Sequence, residues 1–331
     1  MKGKRKMSYS KSTLYKASQI LESRRSKAQQ TYNARHLEVT EKIPDIARLE
    51  ARLSESGLAV VKAFGMGKDA KKYIDELSSI NLSIQETIRH LLKENGYPEN
   101  YLSTPYHCSK CEDTGFIGGF SCECRKELLK EISKDSLAEI SPSKKCRFDN
   151  FDLKFYPEAV DEALGVSPRK RMAQIAEYCK CYAEDFDLNS DSLYLHGATG
   201  LGKTHLSLAM ANVIAEKGYN VIYDTAYNIV STLEREKFSN NNTGEKENEI
   251  LDCDLLIIDD LGSEFSTQFT VAALYNIINT RINRSKPVII NTNLTANELE
   301  NKYTQRATSR IIGNYVSLLF LGKDIRQLKK N

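Results

Sequence analysis

"GATGLGKT", residues 197–204, is the stretch on which the rest of the chain turns. It fits G-x-x-x-x-G-K-[ST], and its flanks suit that pattern: "SLYLHG" (192–197) reads as a strand and "KTHLSLAMANVIAEKG" (203–218) as a helix. Gly197, Gly200 and Gly202 let the backbone turn its N–H groups inward at the positive end of the helix, with Ala198, Thr199 and Leu201 completing the loop. Such a loop cradles the phosphates of ATP or ADP. Lys203 would reach the β/γ-phosphates and Thr204 would ligate Mg²⁺. A chance glycine-rich turn would lack the strand and helix on either side.

Downstream, strands and helices alternate. "NVIYDTA" (220–226) reads as a strand, 227–238 as a helix, and "KFSNNNTGEKEN" as a loop before the strand "LDCDLLIIDD" (251–260). A helix at 268–284, the strand "PVIINTN" (287–293), a short helix and a strand near 315–321 follow, and a helix at 168–186 precedes the set. This order predicts an α/β fold whose parallel sheet is covered on both faces. "LLIIDD" (255–260) is a buried strand ending in two carboxylates. Asp259 is placed to hold Mg²⁺ beside Thr204, and Asp260 to polarise an attacking water. "VIINTNL" (288–294) offers Asn293 to orient that water or touch the γ-phosphate, against the plainer reading of a strand-to-turn Asn. "QRATSRI" (305–311) puts Arg306 and Arg310 four apart on one helix face, where an arginine is usually a surface residue unless a neighbouring subunit brings it to ATP.

Before the sheet, residues 11 to about 95 read as helical. "SIQE" (83–86) is a capping box with Ser83 as N-cap and Glu86 reaching back; Ile84, Ile88 and Leu91 then share a face, and "NG" at 95–96 ends the helix. A charged helix is expected around 125–139, and "SPSKKCRFDNFDLKFYP" (141–157) looks like a connector. The composition is ordinary for a globular chain, at 40% hydrophobic and 27% charged over 331 residues. Its longest apolar runs are strand-sized and exclude a membrane span, and the basic start has no apolar segment of a secretory signal. A cytoplasmic, reducing setting is therefore expected for the eight cysteines. The net charge of +3 hides 13 Lys and Arg against 6 Asp and Glu in residues 1–60, a local +7. That arm suits nucleic acid or an acidic protein surface as well as a plain solvated helix.

Taken together, the phosphate loop, "LLIIDDLGSE", "NTNL" and "SRI" resemble, over residues 146–331, the AAA+ ATPases of the DnaC/DnaI helicase-loader type and their IstB cousins. "FDNFDL" (148–153) is similar to the loaders' entry segment near the adenine. The resemblance implies an AAA+ core in which Lys203 and Thr204 match Walker A, Asp259 and Asp260 match Walker B, and Asn293 matches sensor 1. It further implies that Arg310 is an arginine finger, with Arg306 a secondary match, and that Arg326 of "LGKDIR" is a sensor 2 equivalent. Where the family often has Glu, Asp260 is shorter, which implies slow hydrolysis; Glu264 is the next candidate base. Only 21 residues follow Arg310, implying a truncated helical lid.

Cys108, Cys111, Cys122 and Cys124 are spaced C-x₂-C-x₁₀-C-x-C around the turn-rich "EDTGFIGG". Four thiolates give a closed tetrahedral Zn²⁺ site with no open position, so the metal would be structural; His107 is an alternative ligand. Cys146, Cys179, Cys181 and Cys253 read as ordinary buried or helix-surface residues. The expected organisation is a helical helicase-interaction domain (1–103), a zinc module (104–127), a linker (128–145) and the ATPase core (146–331). The partners implied are a replicative helicase hexamer, further copies of the chain through the AAA+ domain, and single-stranded DNA, with Arg235 and Lys237 as contacts. Two rivals stand beside this: a transposition-associated ATPase binding duplex DNA, and a weakly hydrolysing nucleotide-binding adaptor.

Overall fold

The computed structural model describes residues 9, 11–63, 70–139, 145–162, 165–239 and 244–328. It divides into two compact units, one of Ser18–Cys124 and one of residues up to Ala17 together with Arg125 onward.

The first unit is built on helices α1 (Lys11–Lys42), α2 (Pro44–Ala63) and α3 (Ala70–Glu94). Pro44 opens α2 at the position where a missing N–H costs nothing. Val39, Ile43, Ile46 and Leu92 form a small core with Ile88, Leu91, Tyr97 and Tyr101 packed on it. The end of α3 lies where "NG" places it: the Gly96 N–H bonds Lys93 O at 3.1 Å and the Tyr97 N–H bonds Leu92 O at 2.9 Å, a Schellman closure. The expected helix start at Ser83 is not observed. Ser83 and Glu86 lie inside α3, because Tyr73–Ile80 carries the helix in from upstream and the N–H groups a cap would satisfy are already bonded in the helix. Beyond α3, strands β1 (Phe116–Ile117) and β2 (Phe120–Ser121) make a hairpin. Its two-residue turn needs positive φ twice, which Gly118 (55°) and Gly119 (83°) supply.

Helix α4 (Glu123–Glu139) follows and carries Leu128, Leu129 and Ile132 buried. The charged helix expected around 125–139 is observed here, and its Leu128, Leu129 and Ile132 recur at helical spacing. Residues 140–144 lie outside the described residues. Two short 3₁₀ turns, Phe148–Asn150 and Leu153–Phe155, lead to α5 (Pro168–Asp185).

The alternating elements are β3 (Ser192–His196), α6 (Lys203–Glu216), β4 (Val221–Thr225), α7 (Ala226–Phe238), α8 (Glu245–Asp252), β5 (Leu255–Leu261), α9 (Gln268–Asn283), β6 (Val288–Thr292), α10 (Ala296–Tyr303), α11 (Gln305–Asn314), β7 (Tyr315–Leu319) and α12 (Ile325–Leu328). The expected loop before β5 contains helix α8, and the strand itself starts at Leu255 rather than at 251. Ile250 and Leu251 are buried one helical step apart, which the polar run before them conceals. The five strands pair in parallel in the order β4-β5-β6-β3-β7. Helix α6 is apolar nearly all round, as a helix buried between the sheet and α5 must be. On the other face, fully buried Arg281 donates to Ile250 O (2.8 Å), Cys253 O (3.1 Å) and Pro287 O (2.7 Å), using its charge on the carbonyl end of α8. This strand order sets the C-terminal ends of β5, β6 and β3 side by side, and the chain leaves β3 at a point where neighbouring connections diverge. Crevices in open α/β sheets form at such points.

Candidate functional site

The phosphate loop leaves β3 and enters α6 through Gly202, a left-handed N-cap with φ 86°. A side chain there would meet Phe151 at 2.8 Å and the Tyr156 hydroxyl at 3.1 Å. Tyr156 is 1% exposed and donates its hydroxyl hydrogen to Leu201 O at 2.9 Å, pinning the entry segment to the loop. From the other side, the Ile325 N–H bonds Gly200 O at 3.1 Å. Lys203 Nζ folds back onto Gly197 O (2.6 Å) and Ala198 O (2.7 Å). Burial lowers its pKa, which Asp260 and Asp259 partly offset.

Beside the loop lies Asp259, at the end of β5 and 3% exposed. Thr204 Oγ1 stands 3.1 and 3.0 Å from its two carboxylate oxygens, so the expected pair meets. A hard cation with oxygen ligands suits a hydroxyl and a carboxylate so placed, and Mg²⁺ would find Thr204 and Asp259 there. Asp260 takes φ 50°, where β5 and β6 shift register between Ile258 and Leu261. The irregularity turns Asp260 outward into the crevice while Asp259 stays inside, the re-aiming that bulges beside active sites perform. Burial, then the Asp259 charge, raise the Asp260 pKa; Lys203 and Arg326 oppose the shift.

The crevice is a cavity of about 500 Å³, a size that suits a small ligand. Phe151, Tyr156, His205, the phosphate loop, Asp260, Asn293 and Arg326 all line it. Arg326 thus stands at the same cavity as Lys203. Arg306 and Arg310 are exposed on α11 and do not line it. Glu264 does not reach the cavity: it is 3% exposed, accepts the Gly262 N–H at 3.1 Å and the Tyr303 hydroxyl, and pairs with Lys302 at 3.5 Å. It is therefore removed as a candidate base, since its oxygens are committed inside the protein.

Sequence reasoning passed over Asn291 and Tyr223. Asn291 Nδ2 donates to Asp259 Oδ1 at 2.7 Å and to Ser207 Oγ at 2.8 Å, while Asn293, two residues on, is exposed at the cavity. The signal was present: Asn291 shares strand parity with Ile289, so it faces the same side as the core. A buried amide in an apolar strand needs a partner.

In the other unit, the sulfurs of Cys108, Cys111, Cys122 and Cys124 all lie within 4.8 Å of one another. Cys111 and Cys124 are 3.4 Å apart, and Cys108 and Cys122 3.9 Å. Zinc–sulfur bonds of about 2.3 Å in a tetrahedron put sulfurs about 3.8 Å apart, so the set fits Zn²⁺. His107 is not in the cluster; its N–H and that of Cys108 bond the buried Asp113 carboxylate at 2.8 and 2.9 Å, which shapes the first turn of the knuckle.

Comparison with known proteins agrees with this geometry. Residues 170–312 match the family model described as IstB-like ATP binding protein. The chain is homologous to the replicative helicase loader DnaC of Escherichia coli K12, at 29% identity over 142 residues, which are 42% of this chain and 58% of that protein. The chromosomal replication initiator DnaA of Aliarcobacter butzleri is 29% identical over 169 residues, 50% of this chain and 34% of that protein. The chain thus spans a little over half of the DnaC relative and a third of the DnaA one. Among solved structures, a crystal structure of the DnaC helicase loader superposes with a TM-score of 0.47 at 20% identity, over 55% of this chain and 99% of that one. Among the described residues, no helix is long and apolar enough to cross a membrane.

Proposed function

We propose that this protein is an ATP-dependent DNA replication factor that binds a replicative hexameric helicase and helps place it on single-stranded DNA. The observation that carries the reading is the ATP-binding domain itself: a phosphate loop facing Thr204–Asp259 and Asp260, in a stretch homologous to DnaC. In this reading Lys203 leaves the carbonyls of Gly197 and Ala198 for the phosphates, and Asp260 takes a proton from the attacking water. Thr204 and Asp259 would hold Mg²⁺, which would supply positive charge against the phosphates. Asn293 orients the water, Arg326 meets the nucleotide in the same subunit, and Arg310 serves a neighbour's. That last role is supported by its exposure away from its own cavity. The Zn²⁺ knuckle staples a small module, and the helical unit grips the helicase.

Single-stranded DNA is assigned to the end of α7. Arg235 and Lys237 sit there, Lys237 Nζ lies 5.1 Å from the Phe269 ring centre, and Phe238 is 72% exposed. Positive charge beside an exposed aromatic ring suits a strand whose bases stack. The second reading, a transposition ATPase on duplex DNA, is favoured by the family model that residues 170–312 match. Co-purification of the full chain with the host replicative helicase, with MgATP and with EDTA, tests the choice, alongside binding to single-stranded and duplex DNA. ATP-dependent retention of the hexamer and preference for single strands supports loading. Tight duplex binding with no helicase retained overturns it in favour of the second reading.

A further inference from the structure

Asp259 is held from three directions. Tyr223 OH donates to Oδ2 at 2.5 Å, Asn291 Nδ2 donates to Oδ1 at 2.7 Å, and Thr204 Oγ1 stands before both oxygens. Of the three, only Thr204 was given a role at the nucleotide site from the sequence. Tyr223 lies on β4, the edge strand, where it pairs in register with Ile257 while Thr225 pairs with Asp259. Residues two apart on a strand share a face, so the phenol reaches diagonally across the sheet to the carboxylate. It is 6% exposed and packs in the same core cluster as Leu255 and Ile257.

We propose that Tyr223 is a positioning residue that fixes the Asp259 carboxylate for magnesium-bound nucleotide. The inference rests on the nucleotide reading of the site given above. Thr204 shares a single hydroxyl hydrogen between the two Asp259 oxygens, and its oxygen keeps lone pairs to face a metal ion. Tyr223 and Asn291 each donate to one oxygen, and between them set the plane of the carboxylate. Without the phenol, Oδ2 keeps only the hydroxyl hydrogen that Thr204 shares between both oxygens, and the carboxylate is freer to rotate about its last torsion. Partners one shell out from a metal commonly account for about 10–100-fold in metal affinity.

The test is the Mg²⁺ dependence of ATP binding by the full chain, measured by equilibrium dialysis from EDTA upward under conditions without turnover. Tyr223→Phe keeps the ring in the core and removes only the hydroxyl. Its half-saturating Mg²⁺ should rise by roughly 10-fold or more, while ATP binding in EDTA stays at the wild-type value. Tyr194→Phe serves as the control, because the buried Tyr194 hydroxyl has no hydrogen-bond partner among the described residues. An unchanged Mg²⁺ midpoint in Tyr223→Phe, or an equal shift in Tyr194→Phe, overturns the proposal. A wild-type chain that binds no ATP at any Mg²⁺ concentration overturns the nucleotide reading instead, and this inference falls with it.

Discussion

The carboxylate of Glu264 accepts the hydroxyl hydrogen of Tyr303, joining the turn after β5 to the last residue of α10. Lys302 completes the joint through the Gly262 and Glu264 carbonyls at 2.5 and 2.7 Å. A carboxylate 3% exposed and so occupied stabilises the fold beside the site and takes no part in the chemistry. Glu264→Ala strands two donors, the Gly262 N–H and the Tyr303 hydroxyl, and removes the ion pair with Lys302, and should cost about 3–5 kcal/mol in urea unfolding, the range for breaking a buried charged cluster. Tyr303→Phe removes one donor, should cost about 1–3 kcal/mol, and should leave turnover per folded molecule intact. Selective loss of turnover in a stable Tyr303→Phe protein would return Glu264 to the list of bases.

Lys203 and Asp260 should separate binding from turnover. Lys203→Ala removes the charge that meets the phosphates, and ATP binding by calorimetry should be lost. Asp260→Asn keeps the shape and the left-handed backbone that Asn also tolerates, so ATP should still bind while phosphate release stops. Equal phosphate release by Asp260→Asn and wild type would place the base elsewhere.

Arg310 should act between subunits. Arginine fingers contribute about 10³–10⁵ in rate when supplied by a neighbour. Neither Arg310→Ala nor Lys203→Ala alone should hydrolyse ATP, yet mixing them should recover part of the activity. One subunit then keeps an intact site and the other an intact finger. No recovery at any ratio, in samples shown to co-assemble, would leave Arg310 as a surface residue.

The cysteine cluster should carry about one equivalent of zinc by elemental analysis, and Cys108→Ser with Cys111→Ser should lose it. Structural zinc is typically worth about 10–16 kcal/mol in isolated fingers, so limited proteolysis should then cut within residues 100–130. Asp113→Ala frees the N–H groups of His107 and Cys108 and should weaken zinc retention against a chelator by about 10–100-fold. Protein made under reducing conditions with four titratable thiols in this segment and no zinc would refute the metal reading.

The sequence alone determined the parts of this protein that follow from local chemistry. The phosphate loop was legible because glycine, lysine and threonine at fixed spacing have one shared use between a strand and a helix. The cysteine cluster was legible because four thiols at C-x₂-C-x₁₀-C-x-C spacing suit a single metal ion. The parallel strands were legible because buried strands read as apolar runs. Tertiary structure decided the rest. Glu264, Asn291 and Tyr223 look alike in sequence, as polar groups near strand ends, and only the packing of α10, α6 and β4 shows which carboxylate is consumed and which is held ready. Ser83 had every local feature of a helix start, but a cap forms only where N–H groups lack partners, and α3 already runs through it. Local patterns fix what a residue is able to do. Which partner it finds depends on residues tens or hundreds of positions away, brought within 3 Å by the burial of the sheet.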